Sequence, residues 1–405
     1  METGTARTVG VFRETVPGER RVALVPDVVP AVGRLGLTVL VEPGAGAQAW
    51  LHDEAYLAAG AELAGHAELL HRADVLLGVH PPALDRLHDL RPGHLLIALL
   101  RPTAIPRPVG QWADRGVTAI GLDLADTRLP AARPMDAATS QARIAGYRAV
   151  LLAAERLGRC LPPWGTADTA FEPVRVLVVG AGPEGLQAVD TARRLGARVQ
   201  VAELRRQERA QAVALGAEPV ALPGFDPVAG DLELGETLAD RHFALSEVLA
   251  AVVPHYDLVV TALDLPGGEP PMLLRTDAVA AMRPGSVLVD LTAGPAHVPA
   301  PAPADSWALG NLECARPGAT TLVGDGVIVI GAGELAAQVP VTASEVYARN
   351  VLALLTHLTR RDGLRVDPTD PVQDAMVVTH HGVVRHPATR RLLADATAAA
   401  GPPPP

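Results

Sequence analysis

The chain contains no lysine: all 35 of its basic residues are arginine, which removes Schiff-base catalysis and every other lysine-dependent chemistry. Aromatic residues make up only 3% against 48% hydrophobic residues, so the core must be built from alanine, valine and leucine. Two cysteines, Cys160 and Cys314, are too few for a disulfide framework or a cysteine-based metal site. That scarcity fits a reducing, cytoplasmic setting. No apolar run reaches the ~18 residues of a membrane helix, so no direct membrane insertion is expected. The opening METGTARTVGVFRET lacks the apolar core of a signal peptide. With a net charge of −10 and no basic tract beyond arginine pairs, the composition argues against nucleic acid as a partner. His80, His380 and His381 have no acid or cysteine at ligand spacing in the sequence, so no metal site is expected.

What is present is organised around residues 174–205, VRVLVVGAGPEGLQAVDTARRLGARVQVAELR. Residues 174–179 are a short, β-branched apolar run, long enough for a buried strand. Gly180, Gly182 and Gly185 follow in G-x-G-x-x-G spacing. Residues 186–195 read as a helix stopped by Gly196, and 198–202 form a second strand ending on Glu203. Each part has a physical role: Gly180 permits a tight turn, Gly182 lets backbone approach a pyrophosphate, and Gly185 lets the helix pack on the strand. The helix N-terminus offers N–H groups and a positive dipole end to phosphates. Glu203 can accept from a ribose diol and repels a 2′-phosphate, so the expected cofactor is NAD(H) rather than NADP(H).

Strand-like runs at 8–12, 38–42, 73–79, 94–100 and 117–121 alternate with helical stretches at 26–35 and 53–59. Gly44 and Gly46 read as an ordinary turn. Residues 135–157 form a long helical pattern that Asp136 or Thr139 could cap. Later strands are expected at 258–262, 286–291 and 327–330, with a helix at 276–282. A second long helix spans 342–359, capped by Thr342 or Ser344. The fold expected is α/β: two Rossmann-like domains with mainly parallel sheets, joined by two long helices around a cleft. Their boundaries are drawn at 1–135 plus 342–390 for a discontinuous N-terminal domain and 136–341 for the NAD(H)-binding domain. Residues 391–405 read as a disordered tail.

Three stretches carry a resemblance. They are ETVPGERRVALVPDVV (14–29), with VEPGAG and DEAYLAAGAEL behind it; RPMDAATSQARIAGYRAV (133–150); and VLVVGAGPEGLQAVDTARRLGA with the later AAMRPGSVLVDL. In this order and spacing they resemble the alanine dehydrogenase/nicotinamide nucleotide transhydrogenase family, over nearly the whole chain to about His386. For the alanine dehydrogenase branch, the resemblance places the substrate arginine at Arg21. The lysine position falls on His80, the histidine position on Arg101 and the aspartate position on Gly294. Three of those four groups are absent, so alanine oxidation is not expected.

The M-D-x-x-x-S-Q-x-x-x-A-G-Y pattern from Met135 to Tyr147 is similar to the other branch, the NAD(H)-binding α subunit of proton-translocating transhydrogenase. Residues 222–246 lie where that branch carries a mobile loop closing on NAD(H). By resemblance, Arg128, Asp136 and Thr139 hold the nicotinamide end, with Arg133 where the family has a glutamine. The pyrophosphate turn is Gly182, Pro183, Glu184 and Gly185. The ribose contacts are Glu203, Leu204 and Arg205, and the adenine-side wall is Ala262 and Leu263. Thr139 and Glu203 replace a family serine and aspartate and keep their chemistry, whereas Arg133 does not. Phe225, His242 and Phe243 are what the expected loop offers in place of the family's tyrosine. The implied reaction is hydride transfer from NADH to NADP+ held on another polypeptide. It requires separate NADP-binding and membrane-spanning subunits, a homodimer of this chain, and a place at the inner face of the cell membrane reached through those partners. Two other readings stay open: a stand-alone NAD-dependent dehydrogenase or reductase of a small amino or imino acid, using Arg21, His80, Arg101 and Arg133, and a non-catalytic NAD(H)-binding module.

Overall fold

A computed structural model describes residues 8–82, 89–166, 170–265, 270–293, 310–360 and 363–399. The chain divides into two compact units, Met1–Gln141 with Ala337–Pro405, and Ala142–Ala336. The first opens with β1 (Thr8–Val11), α1 (Val29–Arg34), β2 (Thr38–Val41), α2 (Asp53–Ala58), β3 (Glu62–Leu63) and α3 (His66–Arg72). It continues with β4 (Val75–Leu77), β5 (Leu95–Ala98), α4 (Pro106–Asp114), β6 (Thr118–Gly121) and α5 (Ala137–Arg156), inside which the division falls. The second unit carries β7 (Arg175–Val179), α6 (Pro183–Arg194), β8 (Arg198–Ala202), α7 (Arg206–Ala214), β9 (Glu218–Pro219) and α8 (Asp231–Val252). It is completed by β10 (Leu258–Thr261), α9 (Thr276–Ala280), β11 (Val287–Asp290), β12 (Thr320–Val323) and β13 (Val327–Gly331). The chain then returns to the first unit through α10 (Pro340–Leu358), the short β14 (Thr359–Arg360) and β15 (Gly363–Leu364), and α11 (Pro371–Met376). β16 (Val377–His380), β17 (Val383–Val384) and α12 (Pro387–Ala399) finish it.

Among the described residues, the main sheet of the first unit runs β17-β16-β6-β5-β4-β1-β2-β3, and that of the second β12-β13-β11-β10-β7-β8-β9. The inner strands pair in parallel, and antiparallel pairing within these two sheets is confined to β16 with β6 and β17, and β12 with β13. Continuous apolar strands are what a doubly covered parallel sheet needs. In β4 and β5, Val75, Leu77 and Ile97 join one core cluster while Leu76 and Leu96 join another. In β7, Leu177 and Val179 likewise face one cluster while Val176 and Val178 face its opposite. The short runs therefore sort by the two-residue period of a strand, with a layer of small and branched side chains on each face.

Several expectations change. Residues 391–399 belong to α12, which packs on α4, so the expected disordered tail is helical that far. The stretch expected as a mobile loop, 222–246, is helical from Asp231 onward. Leu234, Leu238, Leu245 and Leu249 recur at helical spacing and are buried, which holds this segment on the domain core. Within it, Phe225 packs against that core beneath Arg241, whose guanidinium carbon lies 4.5 Å from the ring centroid, while Phe243 is exposed and stacks on His242. Neither Thr342 nor Ser344 caps the second long helix. It starts at Pro340 after Val339 with no side-chain cap, proline at a first helical position giving up no needed donor. For the first long helix, Asp136 is the capping side chain, accepting from the Thr139 N–H at 2.9 Å.

Candidate nucleotide-binding site

The glycine turn joins β7 to α6, at the carboxyl end of a central parallel strand, where open α/β sheets bind ligands. Gly180 has φ +89°, and a Cβ there would lie 2.6 Å from the Ala262 carbonyl oxygen; the position needs glycine for both reasons. A Cβ on Gly185 would collide with the Gly180 carbonyl, so this glycine sets the approach of α6 to the turn. Gly182 differs. A Cβ there would meet nothing nearer than the Glu184 side chain at 3.8 Å and the Arg205 guanidinium at 4.0 Å. The protein leaves that space open. α6 then begins at Pro183 with no side-chain cap, leaving first-turn N–H groups, including those of Glu184 and Gly185, for an incoming anion.

Glu203, at the end of β8, is buried and its carboxylate is fully engaged. One oxygen accepts from the Ala181 N–H (2.6 Å) and the Arg205 Nη2 (2.8 Å); the other accepts from the Arg205 N–H (2.8 Å) and Nε (3.1 Å). Four bonds fill the four lone-pair positions of an ionised carboxylate. Arg205 in turn donates to Asp231 at 2.9 Å, in the first turn of α8. Burial works against the guanidinium's charge, but its hydrogen bonds to Glu203 and Asp231 and their negative charges raise its pKa above the ordinary arginine value. Two acids around one arginine leave this corner at a net charge of −1. A ribose diol entering here must replace one of the Arg205 bonds to Glu203.

Ala262 and Leu263 follow β10 beside the turn. The Ala262 N–H bonds the Val179 carbonyl (2.8 Å), and the Leu263 N–H and carbonyl are both held by the side chain of Asn311 (2.9 Å each). Asn311, buried, also donates to the Pro271 carbonyl at 2.8 Å. Beneath it the buried Asp290 accepts from Thr261, Thr292 and the Leu312 N–H; burial raises its pKa, against these bonds. Asn311 and Asp290 shape the wall and were not expected from the sequence. Their only sequence signal is a polar residue at each end of a stretch rich in glycine and proline.

The residues expected at the nicotinamide end lie in the first unit. Arg128 is exposed and forms a two-point pair with Asp126 (2.8 Å each), and exposed Arg133 donates from Nε to the Thr127 carbonyl at 2.9 Å. Together with Asp136 and Thr139 they occupy the loop between β6 and α5 and the first turn of that helix.

Elsewhere in this unit a buried ionic group forms where no acid was expected. The Arg21 guanidinium grips Glu19 through Nε (2.8 Å) and Nη2 (2.6 Å) and reaches Gln141 through Nη1 (3.0 Å). His80 Nε2 lies 2.6 Å from the same Glu19 carboxylate. Burial opposes its charge, yet the hydrogen bonds from Arg21 and His80 hold Glu19 well below the usual carboxylate range. Close by, Glu14 accepts from the Val79 N–H at 2.6 Å and lines a cavity of about 30 Å³ with His80 and His66; burial pushes its pKa up to about 7. His80 is thus a core histidine paired to an acid. The Arg101 N–H bonds Asp123 at 2.8 Å, and Gly294 lies outside the described residues.

An acid-terminated strand–turn–helix–strand in one unit and a second parallel α/β unit beside it in sequence define a two-unit protein of the dinucleotide-binding Rossmann class. Comparison with known proteins narrows this. The chain belongs to the alanine dehydrogenase/PNT family: residues 10–145 match its N-terminal domain and 149–387 its C-terminal domain. It is 34% identical over 96% of its length to the NAD(P) transhydrogenase subunit alpha of Cereibacter sphaeroides, spanning 73% of that protein. It is 32% identical to the first of the separate polypeptides of NAD(P) transhydrogenase subunit alpha in Rhodospirillum rubrum, over 94% of this chain and 98% of the relative. An alanine dehydrogenase of Mycobacterium tuberculosis is 32% identical over 70% of this chain and 71% of its own. Among solved structures, a transhydrogenase from Sinorhizobium meliloti superposes with TM-score 0.79 at 32% identity, covering 93% of this chain and all of that one. An L-alanine dehydrogenase gives TM-score 0.74 at 25% identity, covering 96% and 99%.

Proposed function

We propose that this chain is an NAD(H)-binding transhydrogenase subunit of the alpha type. The observation that carries this choice over alanine dehydrogenase is the state of the dehydrogenase positions. The chain has no lysine; His80, at the lysine position, is bound to Glu19; and Glu19 fills the fork of Arg21 that a substrate carboxylate would need. Gly180, Gly182, Pro183, Glu184 and Gly185 form the pyrophosphate cradle, Glu203 with Leu204 and Arg205 the ribose corner, and Ala262 and Leu263 the adenine-side wall. Arg128, Arg133, Asp136 and Thr139 are assigned to the nicotinamide end.

Bound NADH supplies the hydride, so the chain's task is to position the ring and exclude water rather than to move a proton. That task needs no general acid, in keeping with Arg101 at the histidine position. The acceptor, NADP+, sits on a companion subunit, and a membrane-spanning partner couples the reaction; among the described residues no helix is long and apolar enough to cross a membrane. A homodimer and attachment to the inner face of the cell membrane through those partners complete the reading.

Arg133→Gln tests it. Hydride exchange is assayed with an added NADP-binding transhydrogenase component, and L-alanine oxidation with NAD+ is assayed in parallel. Exchange retained or improved in the variant, with no alanine turnover in either form, is the expected result. Alanine oxidation at ordinary dehydrogenase rates, without hydride exchange, overturns it.

A further inference from the structure

The second unit has a charged cavity at the opposite end of its sheet from the glycine turn. Arg175 opens β7, Asp257 immediately precedes β10, and Arg283 lies in the turn before β11. Arg159, just beyond α5, joins them. These residues, with Glu172 and His255, line a cavity of about 360 Å³. Asp257 is buried and organises it. One of its carboxylate oxygens accepts from both Arg159 (2.6 Å) and Arg283 (2.8 Å), and the other accepts from the Arg175 N–H (3.0 Å). The Arg175 guanidinium lies 5.7 Å from the centroid of the Tyr256 ring.

A single arginine would compensate a buried aspartate. Here three guanidiniums stand against two carboxylates, Asp257 and Glu172, before His255 is counted. The bonds to Asp257 use one terminal nitrogen each of Arg159 and Arg283, whereas a guanidinium carries five N–H donors in a rigid fork. Both side chains remain about half exposed, at 45% and 55%. The arrangement is a pair of forks fixed by a buried acid and aimed at an open, net positive cavity. Planar forks of this kind match phosphate oxygens better than point charges do. The cavity is larger than one phosphate needs.

We propose that this cavity is a second anion site, taking a pyrophosphate group, either as the free inorganic ion or as part of a small nucleoside diphosphate. β7 spans five residues from Arg175 to Val179 before reaching Gly180, which at ~3.3 Å per residue separates the two sites by roughly 15 Å. The ligand therefore binds together with a dinucleotide at the glycine turn.

Calorimetric titration of the full chain, saturated with NADH so that the glycine turn is filled, tests this with inorganic pyrophosphate and with ADP as separate probes. One saturable equivalent of pyrophosphate is expected, weakening as salt is raised. Arg159→Gln and Arg283→Gln, each leaving the other arginine on Asp257, should each weaken it about tenfold for the loss of a charged hydrogen-bond donor. NADH affinity and melting temperature should stay as in the wild type. ADP binding more tightly than pyrophosphate assigns the site to a nucleotide; equal or weaker ADP binding assigns it to the inorganic ion. No saturable binding of either probe, or binding that both variants leave unchanged, overturns the proposal.

Discussion

Replacing Glu203 with glutamine should turn a strong NADH preference into a weak one. The side chain is nearly isosteric, so the change removes one negative charge and two of the four acceptor positions. The corner formed by Glu203, Arg205 and Asp231 goes from −1 to neutral. Two unit charges ~5 Å apart interact by ~3 kcal/mol at an effective dielectric of 20. Asp231 is about half exposed, and solvent on that side reduces the gain for a 2′-phosphate to ~1–2 kcal/mol, or roughly 5- to 30-fold tighter NADPH binding. NADH loses a charge-assisted hydrogen bond from its ribose and weakens by a similar ~1–2 kcal/mol. The ratio of the two affinities should therefore narrow by about 30- to 1000-fold. NADH and NADPH fluorescence titrations on wild type and Glu203→Gln measure it directly, with circular dichroism confirming that both are folded. Wild-type protein that binds NADPH as tightly as NADH, or a variant with an unchanged ratio, would refute the reasoning.

The fingerprint glycines should separate in a pair of alanine variants. Gly182→Ala meets no protein atom closer than 3.8 Å, so it should melt like the wild type yet lose at least about tenfold in NADH affinity as its methyl enters the pyrophosphate space. Gly180→Ala combines a positive φ with a clash against the Ala262 carbonyl and should lose stability by roughly 2 kcal/mol or more, read by thermal denaturation. Glu14 makes stability pH-dependent. Its pKa is raised to about 7, so the native state holds its proton between about pH 4.5 and 7 while the unfolded chain releases it, and stability falls as pH rises through that window, by up to ~3 kcal/mol. Glu14→Gln should remove that slope, stabilising the protein at pH 8 and leaving it nearly unchanged at pH 5; denaturant unfolding at the two pH values checks it. Glu19 carries the opposite sign. Its lowered pKa gives stability that is complete above about pH 4.5 and is lost below it, so acid unfolding of Glu19→Gln should be shallower than that of the wild type.

The strands and the nucleotide turn were legible because parallel strands covered on both faces leave nearly pure apolar runs, and because a G-x-G-x-x-G turn uses each glycine for a separate backbone reason. α8 was legible too. Leu234, Leu238, Leu245 and Leu249 carry its helical period, but Gly230 and Gly235 and the likeness to a family loop suggested otherwise. The saturation of Glu203 by Arg205 and Ala181 could not be read from ELR, since side chains two residues apart on an extended chain point the same way without showing whether they meet. The grip of Arg21 on Glu19, with His80 delivered from the end of β4, depends on two loops converging, and no local pattern encodes that meeting. Asp257 with its arginines is the same case: the participants are scattered over four connections, and only the sheet brings their strand starts together.

The antiparallel strand β16 has a consequence for the order in which this protein can be made. β16 closes the edge of the first sheet against β6, at residues the ribosome delivers more than two hundred positions after that edge strand. The second unit is continuous and can complete its own core as soon as it emerges, whereas the first must wait with Thr118–Gly121 unpaired. An open edge of that kind is a template for other chains. A nascent protein stalled before Val377 should therefore be stickier than either the finished chain or the second unit alone, and the demand for chaperones should fall during the last stretch of synthesis.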